Sequence, residues 1–232
     1  MTDKKIGIVS GVGPLAGADV LTKIYKVSAE KYKAVEDIEY PKLILTNLGV
    51  NGVGNTGKIN KEFIKTVQGQ VTFLEESGCS FIGIACNTAH LFLNKIKLNK
   101  HTTLINLPEE VAKFTHDQNI KDALLLCSAE SKKQNLYQPY LNKYGISYSY
   151  LKPNDTKLLD YVIGLVMAYK IEDSSALISK ILDSYRGKPV LASCTELPVA
   201  INQVKTIKDK VIDSNYILAL ALADSYYDGQ GS

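Results

Sequence analysis

The sequence predicts an α/β fold of two pseudo-symmetric domains, each a mostly parallel sheet flanked by helices. Short apolar runs alternate with segments whose apolar residues recur at helical spacing, which favours parallel strands joined by helical crossovers. The order strand, turn, helix occurs twice along the 232 residues, and one late strand in each half leads into a cysteine, Cys86 or Cys194. This repeated order indicates an internal duplication, although residue identity between the halves is weak.

In the first half, strands are predicted over residues 6–9, 42–46 and 81–85. A glycine-rich turn, residues 10–13, follows the first strand. Pro14 suits the first position of the next helix, because its missing N–H has no intrahelical partner there. Apolar residues spaced for one helix face span 63–74, and Gly78 ends that helix.

In the second half, strands are predicted over residues 122–126 and 189–192. A polar turn at 127–131 follows the first of them, and a strongly apolar helix spans 214–227. We expect residues 1–103 to form the first domain, completed by a C-terminal helix in 208–232. Residues 104–207 are expected to form the second domain.

Composition excludes several classes of protein. Charged residues make up 22 % of the chain and the formal net charge is +3, which gives no electrostatic case for nucleic-acid binding. No apolar run approaches the roughly 18 residues of a membrane span, and no signal peptide is visible, so we expect a cytoplasmic protein. The four cysteines form no Cys-x-x-Cys pair, so we expect no metal site, and in a reducing cytoplasm we expect no disulfide.

Cys86 and Cys194 have the surroundings that acid–base chemistry requires. Each follows a predicted strand and precedes a polar turn that opens a helix. Ligands of parallel α/β sheets bind outside the carboxyl ends of the strands, where both cysteines fall. Backbone N–H groups at a helix start favour the thiolate and lower a thiol pKa from its ordinary value of about 8.5. Two opposed thiols would suit inversion of a carbon centre, because one removes a proton and the other returns one.

Three segments carry a resemblance to a known family: residues 11–16 (Gly-Val-Gly-Pro-Leu-Ala), 85–90 (Ala-Cys-Asn-Thr-Ala-His) and 194–196 (Cys-Thr-Glu). Their sequences, order and spacing resemble those of the aspartate/glutamate racemases over nearly the whole chain. The resemblance implies an isomerase that interconverts L- and D-amino acids without pyridoxal phosphate, any other cofactor or a metal. It also implies a homodimer and an active site in an interdomain cleft, with Cys86 and Cys194 as the proton-transferring thiols.

The resemblance further implies which residues hold the amino and carboxylate groups of the substrate. These residues are Gly11, Asn47, Asn87, Thr88, Ser128, Ser131 and Thr195. Ser128 and Ser131 fall where relatives often carry two threonines, with Glu130 in place of a small glycine. Two neighbours of the thiols have two interpretations each: His90 orients the thiol turn or is structural, and Glu196 orients the substrate amino group or caps a helix.

Other positions depart from the family pattern. Ser10 stands where relatives have a glycine. Gly54 stands where aspartate-acting relatives carry an arginine for the side-chain carboxylate, and Met167 stands where they carry a lysine. Lys58 or Lys61 would be the substitutes. Aspartate and glutamate are the first substrates expected, and a neutral or unusual side chain is the alternative, because charge-assisted contacts to an acidic side chain are lost.

Three other functions are consistent with parts of the sequence. The pattern Gly-x-Gly-x-x-x-Gly at residues 11–17 resembles a dinucleotide fingerprint, but residues 45–48 lack the acidic side chain that would hold a ribose. An isomerase or decarboxylase of small dicarboxylic acids would use the same scaffold, and so would a non-catalytic small-molecule-binding relative. Cys79 is interpreted as a packing residue, and Cys127 either packs in the core or lines the cleft.

Overall fold

The computed structural model describes residues 4–49, 61–204, 207 and 210–228. The chain divides into two compact units, one made of residues 1–107 with 215–232 and the other of residues 108–214. Each unit holds a four-stranded parallel sheet with flanking helices, which confirms the predicted α/β class. No helix within the described ranges is both long enough and apolar enough to cross a bilayer.

The elements are numbered in chain order, and each of the five predicted strands corresponds to one of them. They are β1 (Lys5–Ser10), α1 (Pro14–Tyr32), β2 (Leu43–Asn47), α2 (Lys61–Glu76), β3 (Cys79–Ile84), β4 (Thr103–Leu104), α3 (Leu107–Asp117), β5 (Asp122–Leu126), α4 (Ala129–Lys133), α5 (Gln138–Lys143), β6 (Ser147–Ser149), α6 (Pro153–Met167), α7 (Ile171–Ser184), β7 (Val190–Ala192), α8 (Glu196–Ile201), β8 (Val211–Asp213) and α9 (Ser214–Asp228). Short 3-10 helices span Asp37–Glu39 and Thr88–Lys95.

The two sheets share one strand order. The first runs β2-β1-β3-β4 and the second runs β6-β5-β7-β8. β1 and β5 therefore occupy the same place in their sheets, and so do β3 and β7, the strands that lead into Cys86 and Cys194. Residues 6–10 of β1 and 123–126 of β5 are buried without interruption, as is typical of parallel strands covered on both faces.

In the first unit, helices cover both faces of the sheet at close range. A Cβ built on Gly7 would meet Leu74 of α2 at 3.0 Å, whereas one built on Gly83 would meet Leu222 of α9 at 2.8 Å. Gly83 lies beside Ile8 in the register of β1 and β3, so the two glycines face opposite sides of the sheet. α9 thus packs on the first sheet although it comes last in the chain.

Short strands set the limits of the two sheets. β4 pairs with β3, which keeps residues up to 104 in the first sheet. β8 pairs with β7, so residues 211–213 belong to the second sheet and not to the 208–232 segment that was expected in the first domain. Strands of two or three residues show no periodicity, which is why β4, β6 and β8 were not predicted.

The helices that follow the two cysteines are short. An α-helix was expected to open after Cys86, but residues 88–95 form a 3-10 helix, in which the His90 N–H donates to Asn87 O at 3.0 Å. α8, after Cys194, has six residues. Few aligned peptide units stand behind either thiol, so the dipole of a following helix is a weaker source of thiolate stabilisation than the sequence indicated.

Candidate active site

The carboxyl edge of the first sheet gathers three of the predicted residues. β1 pairs with β2 in a register that sets Ser10 beside Asn47, and β1 pairs with β3 as far as Ile84. Gly11, Asn47 and Cys86 therefore lie at the ends of three adjacent strands. This is the edge at which parallel sheets bind ligands.

The turn after β1 depends on the glycine at position 11. Gly11 has a φ of 95°, and a Cβ there would lie 2.2 Å from the Leu48 nitrogen. The Leu48 N–H donates a hydrogen bond to Ser10 O at 2.8 Å. The backbone of the turn thus packs directly against the chain that leaves β2, and a side chain at position 11 would break that contact.

Ser10, which departs from the family pattern, has a compensating neighbour. Its side chain is buried, and its hydroxyl has no hydrogen-bond partner among the described residues. A Cβ on Gly17 would lie 1.9 Å from Ser10 Oγ. The hydroxyl therefore fits only because α1 carries a glycine opposite it.

The Cys86 turn is buried and is held by His90. Cys86 is 7 % exposed, and Asn87, Thr88 and His90 are also buried. The His90 Nδ1 lies 2.9 Å from Cys86 O, and its Nε2 lies 3.3 Å from Ile105 O. Burial lowers the pKa of His90, which favours the neutral ring with one N–H. We assign that proton to Nδ1, because its contact is the shorter one.

The carboxyl edge of the second sheet carries the serine turn. Ser128 caps α4 by accepting the N–H of Ser131 at 3.2 Å, and the two hydroxyl oxygens are 3.0 Å apart. The next N–H in that turn, from Ala129, donates to the carboxylate of Asp160 on α6. Asp160 was not predicted from the sequence, because it is 31 residues from Ala129 and no local signal connects them.

Cys194 follows β7 and is bonded to an acidic side chain. Cys194 Sγ lies 3.0 Å from Glu196 Oε2 and donates to it, and the Thr195 hydroxyl donates to the same oxygen at 3.3 Å. All three side chains are buried, with Glu196 6 % exposed. Burial raises the pKa of the Glu196 carboxyl, and the bonds from Cys194 and Thr195 oppose that rise.

The remaining thiols differ from this arrangement. Burial raises the pKa of Cys79 to about 11 and that of Cys127 to about 12, so both are protonated at neutral pH. Tyr137 is fully buried near Cys127 and Cys194, and burial raises its pKa too. Within the described ranges, no group of three or more His, Cys, Asp or Glu side chains could hold a metal ion.

The single arginine of the chain is not placed for a substrate carboxylate. Arg186 lies between α7 and β7, at the amino end of the strand whose carboxyl end leads to Cys194. It pairs with Asp183 at 2.6 Å, with both side chains about half exposed. Because the sequence contains no other arginine, composition alone shows that no arginine besides Arg186 can bind a substrate carboxylate.

The other positions at which a cation was considered are Met167, Gly54, Lys58 and Lys61. Met167, at the position of the family lysine, ends α6 and is 58 % exposed. Gly54 and Lys58 lie outside the described residues, and Lys61 is the first residue of α2. Asp160 instead brings a negative charge to the serine turn.

Comparison with known proteins relates these features to a family. The sequence profile of the Asp/Glu/Hydantoin racemase family matches residues 10–222. The chain is 22 % identical over 224 residues to the broad specificity amino-acid racemase RacX of Bacillus subtilis (strain 168), covering 95 % of this chain and 97 % of that protein. The fold is similar to that of Picrophilus torridus aspartate racemase, with a TM-score of 0.86, 24 % identity and coverage of 97 % and 94 %. Glutamate racemase isoform RacE1 from Bacillus anthracis is similar at a TM-score of 0.71, with 16 % identity and coverage of 100 % and 84 %.

Proposed function

Because this chain belongs to the Asp/Glu/Hydantoin racemase family, we propose that it is an amino-acid racemase that works without a cofactor. Cys86 and Cys194 act on opposite faces of one α-carbon: one, as thiolate, removes the proton, and the other, as thiol, donates one. Their roles exchange for the other enantiomer. One observation carries this proposal. Each sheet leads, at the same place in its strand order, into a buried cysteine that is not in a disulfide and is followed by polar residues.

The substrate's charged groups would be held by the residues at the two sheet edges. Backbone N–H groups and hydroxyls at Asn87, Thr88, Ser128 and Thr195 are the proposed donors for the α-carboxylate. The carbanion formed at the α-carbon has no electron sink, so these fixed donors would also stabilise its developing charge. Both thiols must stay reduced, which fits a reducing compartment such as the cytoplasm.

The proposed specificity is for neutral or varied side chains rather than for acidic ones alone. Arg186 precedes the amino end of β7 and so lies at the opposite edge of the sheet from the carboxyl edge. Asp160 adds a negative charge to the serine turn. An acidic side chain would lack a bidentate cationic partner, which is the strong form of such contacts. The relative RacX, described as having broad specificity, is consistent with this proposal.

Deuterium exchange over all proteinogenic amino acids tests the function. Each L-amino acid is incubated with enzyme in deuterium oxide, and loss of the α-proton signal is followed by NMR while the D-form is measured by chiral chromatography. We expect the D-product to carry deuterium at the α-carbon, and several neutral amino acids to react at least as fast as aspartate. If no amino acid exchanges or inverts, the proposal is wrong.

We also propose a homodimer that uses an exposed apolar surface of the first unit. Ile38, in the 3-10 helix Asp37–Glu39, is 92 % exposed, an uncommon setting for isoleucine. The Glu39 carboxylate accepts the N–H groups of Val35 and Glu36, which holds this turn in place. Beside it is an open pocket of about 520 Å³. The pocket is lined by Tyr25, Asp37, Tyr40, Pro41 and Lys42.

A second copy of the chain suits this surface because the exposed Ile38 side chain and the pocket are adjacent. In a twofold pairing, Ile38 of the partner subunit enters the pocket while the reciprocal contact forms. Asp37 and Lys42 line the pocket with opposite charges, which suits a self-complementary pair. Light scattering should show a dimer at micromolar concentration that Ile38→Glu converts to monomer. The control Tyr169→Glu, at a 75 % exposed residue of the other unit, should remain a dimer. A monomeric wild type, or a dimeric Ile38→Glu variant, would contradict this proposal.

A further inference from the structure

Asp160 is an acidic residue of α6 whose carboxylate reaches the edge of the second sheet. It accepts the N–H of Ala129, the residue after Ser128, and so connects α6 to the turn that follows β5. The Asp160 side chain is nevertheless exposed, and it forms no ion pair with any residue in the described ranges. A carboxylate has more acceptor sites than one N–H can occupy, so part of this group is open to a ligand.

The Lys132 ammonium, on α4, does not neutralise this charge. Its Nζ lies 4.5 Å from the centroid of the Tyr150 ring, and Tyr150 directly follows β6, the outer strand of the sheet. The two charges act on the pKa of the Cys127 thiol in opposite senses, so they flank the end of β5. Because α6 packs against α8, the helix that follows Cys194, the negative charge lies on the Cys194 side of this turn.

The place of Asp160 suits the end of a substrate side chain better than the α-amino group. The α-carbon must lie at the Cys194 sulfur, where the Glu196 Oε2 is 3.0 Å away. Glu196 is therefore the acidic group that an α-ammonium would meet. Asp160 bonds the turn after β5, the strand next to β7. Neighbouring strands are about 4.8 Å apart, a distance that a side chain of a few carbons spans.

We propose that Asp160 selects amino acids whose side chain ends in a cation, such as ornithine, lysine and arginine. This inference rests on the proposed racemase function and names the substrate class of the same site. A terminal ammonium or guanidinium would donate to the open part of the carboxylate, which is the strong, charge-assisted form of hydrogen bond. An acidic side chain would be repelled, and a neutral one would leave the anion without a partner.

Two electrostatic effects favour a cationic partner for Asp160. Partial removal of its carboxylate from water raises its pKa, and the Ala129 N–H opposes that rise. An anion that is incompletely hydrated gains more from a cation than a fully exposed one does. In addition, an uncompensated negative charge about one strand away opposes the charge that develops at the α-carbon. A cationic side chain on the substrate cancels that charge.

The test compares L-ornithine with L-norleucine, whose side chains have the same length and differ in the terminal charge. Racemisation is measured by chiral chromatography in wild type and in Asp160→Asn, whose amide oxygen can still accept the Ala129 N–H. Wild type should prefer ornithine in kcat/KM by roughly tenfold or more, the value of one hydrogen bond to a charged group. In Asp160→Asn, most of that preference should be lost through a higher KM for ornithine, whereas norleucine should react as before or faster.

Controls separate selection from a structural function of Asp160. Asp173→Asn, the same change at an exposed residue of α7, should alter neither substrate. Asp160→Glu keeps the charge and should keep the ornithine preference. Equal losses for ornithine and norleucine in Asp160→Asn would overturn the proposal, because they would place the carboxylate at the α-ammonium or in the support of the fold. A wild type that does not prefer ornithine would also overturn it.

The wild-type protein provides a second measurement should Asp160→Asn fail to fold. Added salt screens an exposed ion pair, so the KM for ornithine should rise with ionic strength more steeply than the KM for norleucine. Parallel changes in the two KM values would contradict selection by charge.

Calorimetric titration with the same two amino acids distinguishes failure of this proposal from failure of the racemase function. Racemisation of ornithine and norleucine with equal efficiency would keep the function and reject selection by Asp160. If the protein inverts no amino acid, the function is rejected and affinity decides the role of Asp160. Tighter binding of ornithine than of norleucine, lost in Asp160→Asn, would support selection, and equal affinity would reject it.

Discussion

The two sheets have the same strand order, yet the sheet edges that carry Cys86 and Cys194 are built differently. At the first edge, a glycine turn packs backbone against backbone, and His90 bonds the Cys86 carbonyl. At the second edge, Ser128 caps a short helix, and Glu196 bonds the Cys194 sulfur itself. The architecture repeats, whereas the local chemistry does not. The Cys86 turn is thus fixed by a hydrogen bond to the backbone carbonyl of Cys86, whereas Cys194 is fixed by a hydrogen bond from its own thiol.

The ionisable groups behind the two cysteines also give opposite dependences on pH. Burial lowers the pKa of His90, so the unfolded chain binds more protons and the first unit loses stability as pH falls below about 6.5. Burial raises the pKa of Glu196, so the folded chain binds more protons above the ordinary carboxyl value of 4.5. The second unit therefore gains stability as pH falls toward that value.

The largest expected effect comes from removing either proposed catalytic thiol. Cys86→Ser and Cys194→Ser should each lower racemisation by about 10²- to 10⁴-fold, the usual contribution of a positioned acid or base, because a hydroxyl is too weak an acid to replace a thiol. Chiral chromatography of product measures the loss. Cys79→Ala, which removes a buried packing thiol of the first unit, should keep the rate of the protein that remains folded. Wild-type rates in both serine variants would exclude the two-thiol mechanism.

The next effect tests the difference between the two turns. Gly11→Ala should cost about 3 kcal/mol or more, because it combines strain at a positive φ with a 2.2 Å approach to Leu48 nitrogen. Gly145→Ala in the second unit is the matched control: its φ is 64°, and a Cβ there meets nothing within 4 Å. It should cost about 1 kcal/mol. Hydrogen exchange measured along a denaturant series gives the free energy of unfolding of each unit separately. Equal losses of that free energy in the two variants would refute the close-packing argument.

The sequence was sufficient wherever a signal was local. The segments around Cys86 and Cys194 are recognisable from a few consecutive residues. Longer strands such as β1 and β5 are predicted by their continuous apolar runs. Contacts between distant positions were not readable. The sequence showed that Ser10 departs from the family pattern, but not that Gly17 lies opposite it and makes room for its hydroxyl. The sequence also did not predict that Asp160 accepts the N–H of Ala129 in the serine turn. The Cys-Thr-Glu motif singled out Glu196, but the sequence could not predict that its carboxylate accepts a hydrogen bond from the Cys194 thiol.

A smaller effect separates the two ionisable groups. At pH 8, Glu196→Gln should be more stable than wild type, raising Tm by about 2–4 °C, the shift that 1 kcal/mol gives in a chain of this size. The gain should shrink toward pH 5, because the wild-type carboxyl is then neutral. A gain that grows as pH falls would have the wrong sign.

His90→Asn should show the complementary behaviour in the first unit. It removes the group whose neutral form the fold prefers, so the loss of stability between pH 7 and pH 5 should become shallower than in wild type. Hydrogen exchange of peptides from residues 84–96 measures it. An unchanged slope would mean that other groups set the acid sensitivity of this unit.

The smallest effect concerns the serine cap. Ser128→Ala removes the acceptor of the Ser131 N–H and should cost about 1 kcal/mol, the usual value of an N-cap. Ser184→Ala, at an exposed position near the end of α7, should cost less than half as much. A loss of more than about 3 kcal/mol at Ser128 would mean that the turn is as tightly packed as its counterpart at Gly11.

Exchange of the α-proton in the single-cysteine variants tests the central claim most directly. Each variant is incubated with separate L- and D-forms of the best substrate in deuterium oxide, and α-proton loss is followed by NMR. The two-thiol account predicts that Cys86→Ser exchanges one enantiomer without inverting it, and that Cys194→Ser exchanges only the other. Exchange of the same enantiomer by both variants, or of both enantiomers by either one, would contradict it.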